Sequence, residues 1–223
     1  MKKSERALCL MSGGLDSTVT AAVAASECQI VGLHFSYGQR GEERERDCFQ
    51  KLVRHFQCSQ SFNFPIPIYA VDSGSSLIDQ RIAVPAGTFD QNKIPSTYVP
   101  FRNGVMLASA AAIAESLGIS RIFIGAVWED SSGYPDCREE FLKALEVAVN
   151  LGTKPETKIA IEAPLVHKTK SEIARWGSRL NAPFELTWSC YHNGPEPCRQ
   201  CESCMLRQKG FHEAGLVDPL LPK

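Results

Sequence analysis

At 223 residues, 43% hydrophobic and 22% charged, the chain can bury a large core as one domain with an appendage. Its 24 basic and 25 acidic residues leave a formal net charge of −1, without the global basic field of a nucleic-acid or anionic-membrane binder. No apolar run approaches the ~20 residues that span a bilayer, the charged start Met1-Lys2-Lys3-Ser4-Glu5-Arg6 is no signal peptide, and nine cysteines are an odd number for a disulfide framework.

The first element is Ala7-Leu8-Cys9-Leu10-Met11, an apolar run read as a short buried strand. It feeds Ser12-Gly13-Gly14-Leu15-Asp16-Ser17, and the Ala/Val-rich run at 18–25 reads as a packed helix. Two glycines let the backbone bend sharply there and bring its N–H groups close to a ligand. Free N–H groups and the positive dipole end of a helix make an anion site, to which Ser12 and Ser17 add hydroxyls. Asp16 or Ser17 is expected to cap the helix. The turn holds no lysine, so it is not the Gly-rich loop that ends in Lys-Ser/Thr and grips the β- and γ-phosphates of many NTPases. An ordinary capped strand-turn-helix is the plain alternative.

A second strand is read at 30–35, followed by a polar, glycine-punctuated loop at 36–41. From 42 to 56, Phe49, Leu52, Val53 and Phe56 fall at helical spacing and predict an amphipathic helix. Residues 62–68 are a third strand candidate, weakened by Pro65 and Pro67. The stretch 72–100, rich in Ser, Gly, Pro and Gln, is a long loop of the kind that is usually functional or mobile. Arg102-Asn103-Gly104 opens a helix through Leu117 that is apolar nearly all round and therefore expected to be buried. A strand at 121–126 exits into a polar loop at 128–138, before a helix carrying Phe141, Leu142, Leu145 and Val149. A strand at 159–165 and a helix at 169–180 complete the main body.

Strands alternating with helices predict an α/β fold, a Rossmann-like parallel sheet, with ligands beyond the carboxyl ends of its strands. The loops 12–17, 36–41, 127–137 and 167–170 all follow strands, so they should converge on one rim. The chain divides into a nucleotide-binding body at 1–186 and a four-cysteine segment with a helix at 187–223.

That segment spaces Cys190, Cys198, Cys201 and Cys204 as C-x7-C-x2-C-x2-C. Thiolates two residues apart on a tight turn can grip one ion, and four soft ligands match tetrahedral zinc. An iron–sulfur cluster competes, because C-x2-C-x2-C also occurs in ferredoxin-like runs. Four protein ligands would close the site and make it structural. The crowding of four cysteines and the scatter of the other five suit a reducing cytoplasm with one metal site.

Taken together, several strings resemble the 7-cyano-7-deazaguanine synthase family of ATP pyrophosphatases. They are Ser12-Gly13-Gly14-Leu15-Asp16-Ser17, Tyr37-Gly38-Gln39-Arg40, Tyr98-Val99-Pro100-x-Arg102-Asn103, Ser132-Gly133-Tyr134-Pro135-Asp136-Cys137-Arg138, Thr187-Trp188-Ser189-Cys190-Tyr191 and the cysteine tail. The resemblance spans nearly the whole chain in order. Two positions depart from it: Gly41, where a histidine is expected, and Phe101, where a small residue is expected.

The resemblance implies a fold of the adenine nucleotide alpha-hydrolase type with a C-terminal zinc segment. It also implies an ATP-dependent ligase that turns 7-carboxy-7-deazaguanine and ammonia into 7-cyano-7-deazaguanine on the route to queuosine. ATP would lie along Leu10, Met11, Ser12, Gly13, Gly14, Leu15, Asp16, Ser17, Thr18, Val19 and Thr20, with Mg²⁺ on its phosphates. Asp16, Arg102 and Lys170 would carry catalysis, although a salt bridge at a helix start is an alternative for Arg102 and a solvated first-turn lysine for Lys170. Tyr37, Gln39, Arg40, Tyr134 and Asp136 would line the base pocket, and Cys137 is left as pocket lining. Zinc on the four cysteines, small-molecule partners, no nucleic acid and no membrane complete the expectation; a homodimer is plausible for the family. Two rivals remain: a thiolating ATP pyrophosphatase acting on tRNA, which would want a basic surface, and a zinc-ribbon binding module with a degenerate nucleotide fold.

Overall fold

In the computed structural model, residues 5–67, 74–87, 93–127 and 133–221 are described. Ile68, Trp128, Ser132 and parts of the expected loops at 72–100 and 128–138 lie outside the described residues. Five strands form one parallel sheet: β1 Arg6–Leu10, β2 Gln29–Ser36, β3 Gln60–Pro65, β4 Arg121–Phe123 and β5 Ala160–Glu162, in the order β3-β2-β1-β4-β5. The helices are α1 Leu15–Glu27, α2 Glu42–His55, α3 Arg102–Leu117, α4 Glu139–Gly152, α5 Lys170–Arg179 and α6 Glu202–Ala214. The α/β fold class expected from the alternation is the one observed.

Alternation along the buried strands sorts the core into two layers. Leu8, Leu10, Val31, Leu33 and Ile122 face α3 and α4, meeting Leu107, Ala110, Ala114 and Leu142. Ala7, Cys9, Met11, Ile30 and Phe123 face the other way, onto Ala21, Ala24, Phe49 and Leu52 of α1 and α2. A third cluster joins α1, α5 and α6 through Val19, Ile173 and Phe211.

Some elements differ from expectation. Strand β4 stops at Phe123 and β5 at Glu162, because the sheet ends where the chain turns toward the loops at the rim. Strand β3 ends on Pro65, which pairs with Ser36 at the sheet edge, where a missing N–H costs nothing. Helix α3 is buried along one face only, leaving Ala108 and Ala112 exposed. Alanine carries too little apolar surface to demand burial on every side.

The strand order reverses between β1 and β4. Connections leave those neighbouring strands in opposite directions, which opens a crevice beyond their carboxyl ends.

Candidate functional site

The loop after β1 begins with Met11 N–H donating to Leu33 O at 2.8 Å. Gly13 then adopts φ +85°, and a Cβ there would lie 2.8 Å from both Cys48 Cβ and Glu45 O. Only glycine satisfies both constraints. Neither Asp16 nor Ser17 caps α1. The flanking residue is Gly14, which has no side chain to cap with; its N–H donates to Ser12 Oγ at 3.3 Å, and the Ser17 and Thr18 hydroxyls donate back to Gly14 O at 3.1 and 2.8 Å. The backbone N–H groups at this start, with the dipole behind them, therefore remain available to an anion. Gly125, just past β4, allows the close approach of the neighbouring loop: a Cβ on it would meet Ser17 N at 2.8 Å.

Helix α5 aims a cation at this loop. Thr169 and Glu172 form a capping box that fixes its first turn. Lys170 Nζ then donates to Asp16 Oδ2 at 2.7 Å, across 154 residues of sequence. Gly210 of α6 permits this placement, since a Cβ there would lie 2.6 Å from Lys170 Cβ. The second carboxylate oxygen, Asp16 Oδ1, is buried without a hydrogen-bond partner among the described residues.

A cavity of about 260 Å³ opens from the loop along the crevice. Leu10, Met11, Ser12, Gly14, Leu15, Asp16, Ser17, Tyr37 and Arg102 all line it, so one space holds the glycine-rich loop after β1 and the expected arginine. Arg102 Nη1 donates to Tyr37 Oη at 3.0 Å, and its guanidinium lies 5.8 Å from the centre of that ring. Burial pushes the Tyr37 phenol up to about 12, with nearby Arg102 opposing. Cys137 also lines the cavity; burial pushes its thiol up to about 11, which suits a neutral wall and not a thiolate nucleophile.

Other expected residues sit one layer back. Gln39 accepts from Tyr37 N and donates to Phe35 O and Glu45 Oε2. Arg40 donates to the carbonyls of Ser76, Asp79 and Ile82, tying down the start of the long loop. Asp136 Oδ2 accepts from Asn103 N at 2.7 Å and so anchors the start of α3. The Tyr134 hydroxyl meets Thr97 Oγ1 at 2.7 Å and bonds Tyr191. Gly13, Thr18, Val19 and Thr20 lie beneath the loop and on α1, outside the cavity wall.

Sequence reasoning missed Glu45, Trp188 and Tyr191, which line the same space. A signal existed for Glu45: it falls on the stripe it shares with Phe49 and Leu52, a charged residue on the buried side of α2. Trp188 N–H donates to Gly13 O at 2.8 Å, docking the cysteine-bearing segment on the loop after β1. Arg207 holds that segment from below, bonding Asp218 through Nε and Nη2 at 2.7 and 2.8 Å and Thr187 Oγ1 at 2.7 Å.

The departure at Phe101 has a backbone consequence. The residue adopts φ +53°, a conformation that favours glycine, and its ring covers Gly104.

The four cysteine sulfurs lie within 4.8 Å of one another, near the separations a tetrahedral zinc with ~2.3 Å bonds requires. Backbone N–H groups of His192 and Cys198 donate to Cys190 Sγ, and that of Cys201 donates to Cys198 Sγ. Such bonds favour thiolates over thiols. The donor set fits a soft divalent ion. An antiparallel bridge from Cys201 to Ala86 joins the knuckle to the 74–87 segment.

Comparison with known proteins agrees with this architecture. The crystal structure of a predicted subunit of tRNA methyltransferase from Methanocaldococcus jannaschii matches with a TM-score of 0.50 at 14% identity, over 78% of this chain and 74% of that one, a similarity of fold. A protein of Sulfurovum sp. named 7-cyano-7-deazaguanine synthase is 46% identical over 217 residues, 97% of each chain. One of the same name from Aliarcobacter butzleri is 44% identical over 218 residues, 97% of this chain and 95% of that one. The family described as queuosine biosynthesis protein QueC matches residues 6–215. The chain therefore belongs to the QueC family of queuosine biosynthesis proteins.

Proposed function

We propose that this chain converts 7-carboxy-7-deazaguanine and ammonia to 7-cyano-7-deazaguanine at the expense of ATP, acting on small molecules in a reducing cytoplasm. The observation that carries the reading is the shared cavity, in which an uncapped helix start, Asp16 and Arg102 face one space. A carboxylate is a poor electrophile, and its oxygen is a poor leaving group. Attack of that oxygen on the α-phosphorus of ATP breaks the bridge to the β-phosphate and releases pyrophosphate. Ammonia then adds to the carbon, a proton is lost, and AMP departs with the former carboxylate oxygen. The amide oxygen next attacks a second ATP in the same way. Loss of both N–H protons and of AMP leaves the nitrile.

The chain's part is to bind and orient. The N–H groups at the start of α1 and the hydroxyls of Ser12 and Ser17 would hold the phosphates, with Lys170 in reach through Asp16. Asp16 Oδ1, buried and unpartnered among the described residues, is the hard oxygen ligand that Mg²⁺ travelling with the nucleotide would take. Arg102 would face a carboxylate or phosphate as a fork of donors. Cys190, Cys198, Cys201 and Cys204 would hold one structural Zn²⁺ that keeps Trp188 on the phosphate loop.

The test is to mix protein, ATP, ammonium and 7-carboxy-7-deazaguanine and count nucleotides against nitrile by chromatography and mass spectrometry. Two AMP and two pyrophosphate per nitrile are expected; starting from the 7-amide should halve the ATP used and remove the need for ammonia. ADP and orthophosphate would refute adenylation. One AMP per nitrile would refute the second activation.

A further inference from the structure

We infer that Glu45 reads the guanine-type edge of the substrate, its carboxylate accepting the ring N–H and the adjacent exocyclic amino group. The inference rests on the reaction proposed above and adds the residue that selects its base. Among the described residues two carboxylates line the cavity; Asp16 bonds Lys170 through Oδ2, and its Oδ1 is the oxygen assigned above to Mg²⁺. Glu45 is held differently. Its Oε2 accepts from Gln39 Nε2 at 2.9 Å, and that amide is itself pinned by Tyr37 N at 2.8 Å and Phe35 O at 3.3 Å. The carboxylate therefore has a fixed orientation.

Its other oxygen, Oε1, has no hydrogen bond among the described residues. A Cβ on Gly41 would stand 3.4 Å from it, so the neighbouring position carries no side chain to cover it. Arg102 borders the same cavity but spends Nη1 on the Tyr37 hydroxyl.

A half-satisfied carboxylate in a confined space favours a ligand that brings N–H donors. A 7-deazaguanine presents two adjacent donors on its pyrimidine edge. Adenine presents one donor beside a ring nitrogen acceptor, which a carboxylate repels. Glu45 thus accepts the substrate base and rejects the nucleotide base. Burial already raises the Glu45 carboxyl above its ordinary value, and the donors of the ligand would offset that cost.

The test is calorimetric titration of the full-length, zinc-loaded protein with 7-carboxy-7-deazaguanine and with the analogue lacking the 2-amino group. The wild type should prefer the amino-bearing ligand by roughly 10- to 100-fold, the range for hydrogen bonds to a charged group. In Glu45→Gln, which keeps an acceptor for Gln39, the preference should shrink to within about threefold while ATP affinity is unchanged. An undiminished preference in the variant overturns the inference. So does a wild type that binds both ligands equally, an outcome that needs no variant to fold. Binding of neither ligand by the wild type overturns the proposed reaction, and the assignment of Glu45 falls with it.

Discussion

Gly125→Ala tests whether the crevice is held as tightly as the structure shows. The added Cβ would meet Ser17 N at 2.8 Å and Asp16 C and Ser17 Cα at 3.0 Å each. These are backbone atoms that no rotamer change can move. The φ of Gly125 lies outside the left-handed range, so the substitution acts through space and not through strain. Restoring ordinary contact requires the start of α1 to retreat by about 0.5 Å, and overpacking of this kind costs ~1–3 kcal/mol. For a chain of 223 residues that corresponds to a Tm lower by roughly 2–12 °C. Displacement of the phosphate loop should lower AMP formation by about 10- to 100-fold, since misplacement near 1 Å costs about two orders of magnitude. Scanning calorimetry and AMP release under saturating ATP measure both effects. Gly152→Ala is the control, because nothing lies within 4 Å of its Cβ position. Wild-type turnover and Tm in Gly125→Ala would refute the idea that contact with the Gly125 backbone sets the position of the loop.

Three further outcomes are expected. Arg102→Lys should cut kcat/KM by ~10²-fold or more, because an ammonium cannot reproduce a planar fork of donors that also packs on Tyr37; near-normal kinetics would move the arginine out of the site. Metal analysis should find about one zinc per chain, and Cys201→Ser should lose it and melt several degrees lower with little change in ATP affinity; brown, iron-containing protein after anaerobic purification would exclude zinc. His34, buried and stacked on Phe49, is kept from protonating chiefly by desolvation, with its bond to Met11 O opposing, so its folded pKa lies below 6.5. The unfolded chain then binds a proton that the folded chain refuses. His34 should therefore cost stability only as pH falls below about 6.5, by at most ~1.4 kcal/mol per pH unit. Melting curves from pH 7.5 to 5 should show a smaller acid loss in His34→Gln, and equal losses would assign acid lability to other groups.

Local chemistry was legible in the chain. Apolar runs alternating with helical stripes specify a doubly covered parallel sheet. The Ser-Gly-Gly-Leu-Asp-Ser turn specifies a tight loop feeding a helix, and the spacing of Cys190, Cys198, Cys201 and Cys204 specifies a sulfur cage. The start of α5 was read at 169, and the structure supplies the reason, a Thr169–Glu172 capping box.

The partners of each polar group were decided only by the folded chain. Lys170 reaches Asp16 across 154 residues because Gly210 lets α6 press against the first turn of α5. Gln39, Arg40 and Asp136 sit in the expected motifs, yet their hydrogen bonds go to Glu45, to the 74–87 segment and to the start of α3. Glu45 entered the cavity because α2 turns its buried stripe toward the phosphate loop. Backbone preference and hydrophobic period act over a few residues and can be read in order along the chain. Hydrogen bonds in a site join residues far apart in sequence, and only the packing of helices across the sheet brings them within 3 Å of one another.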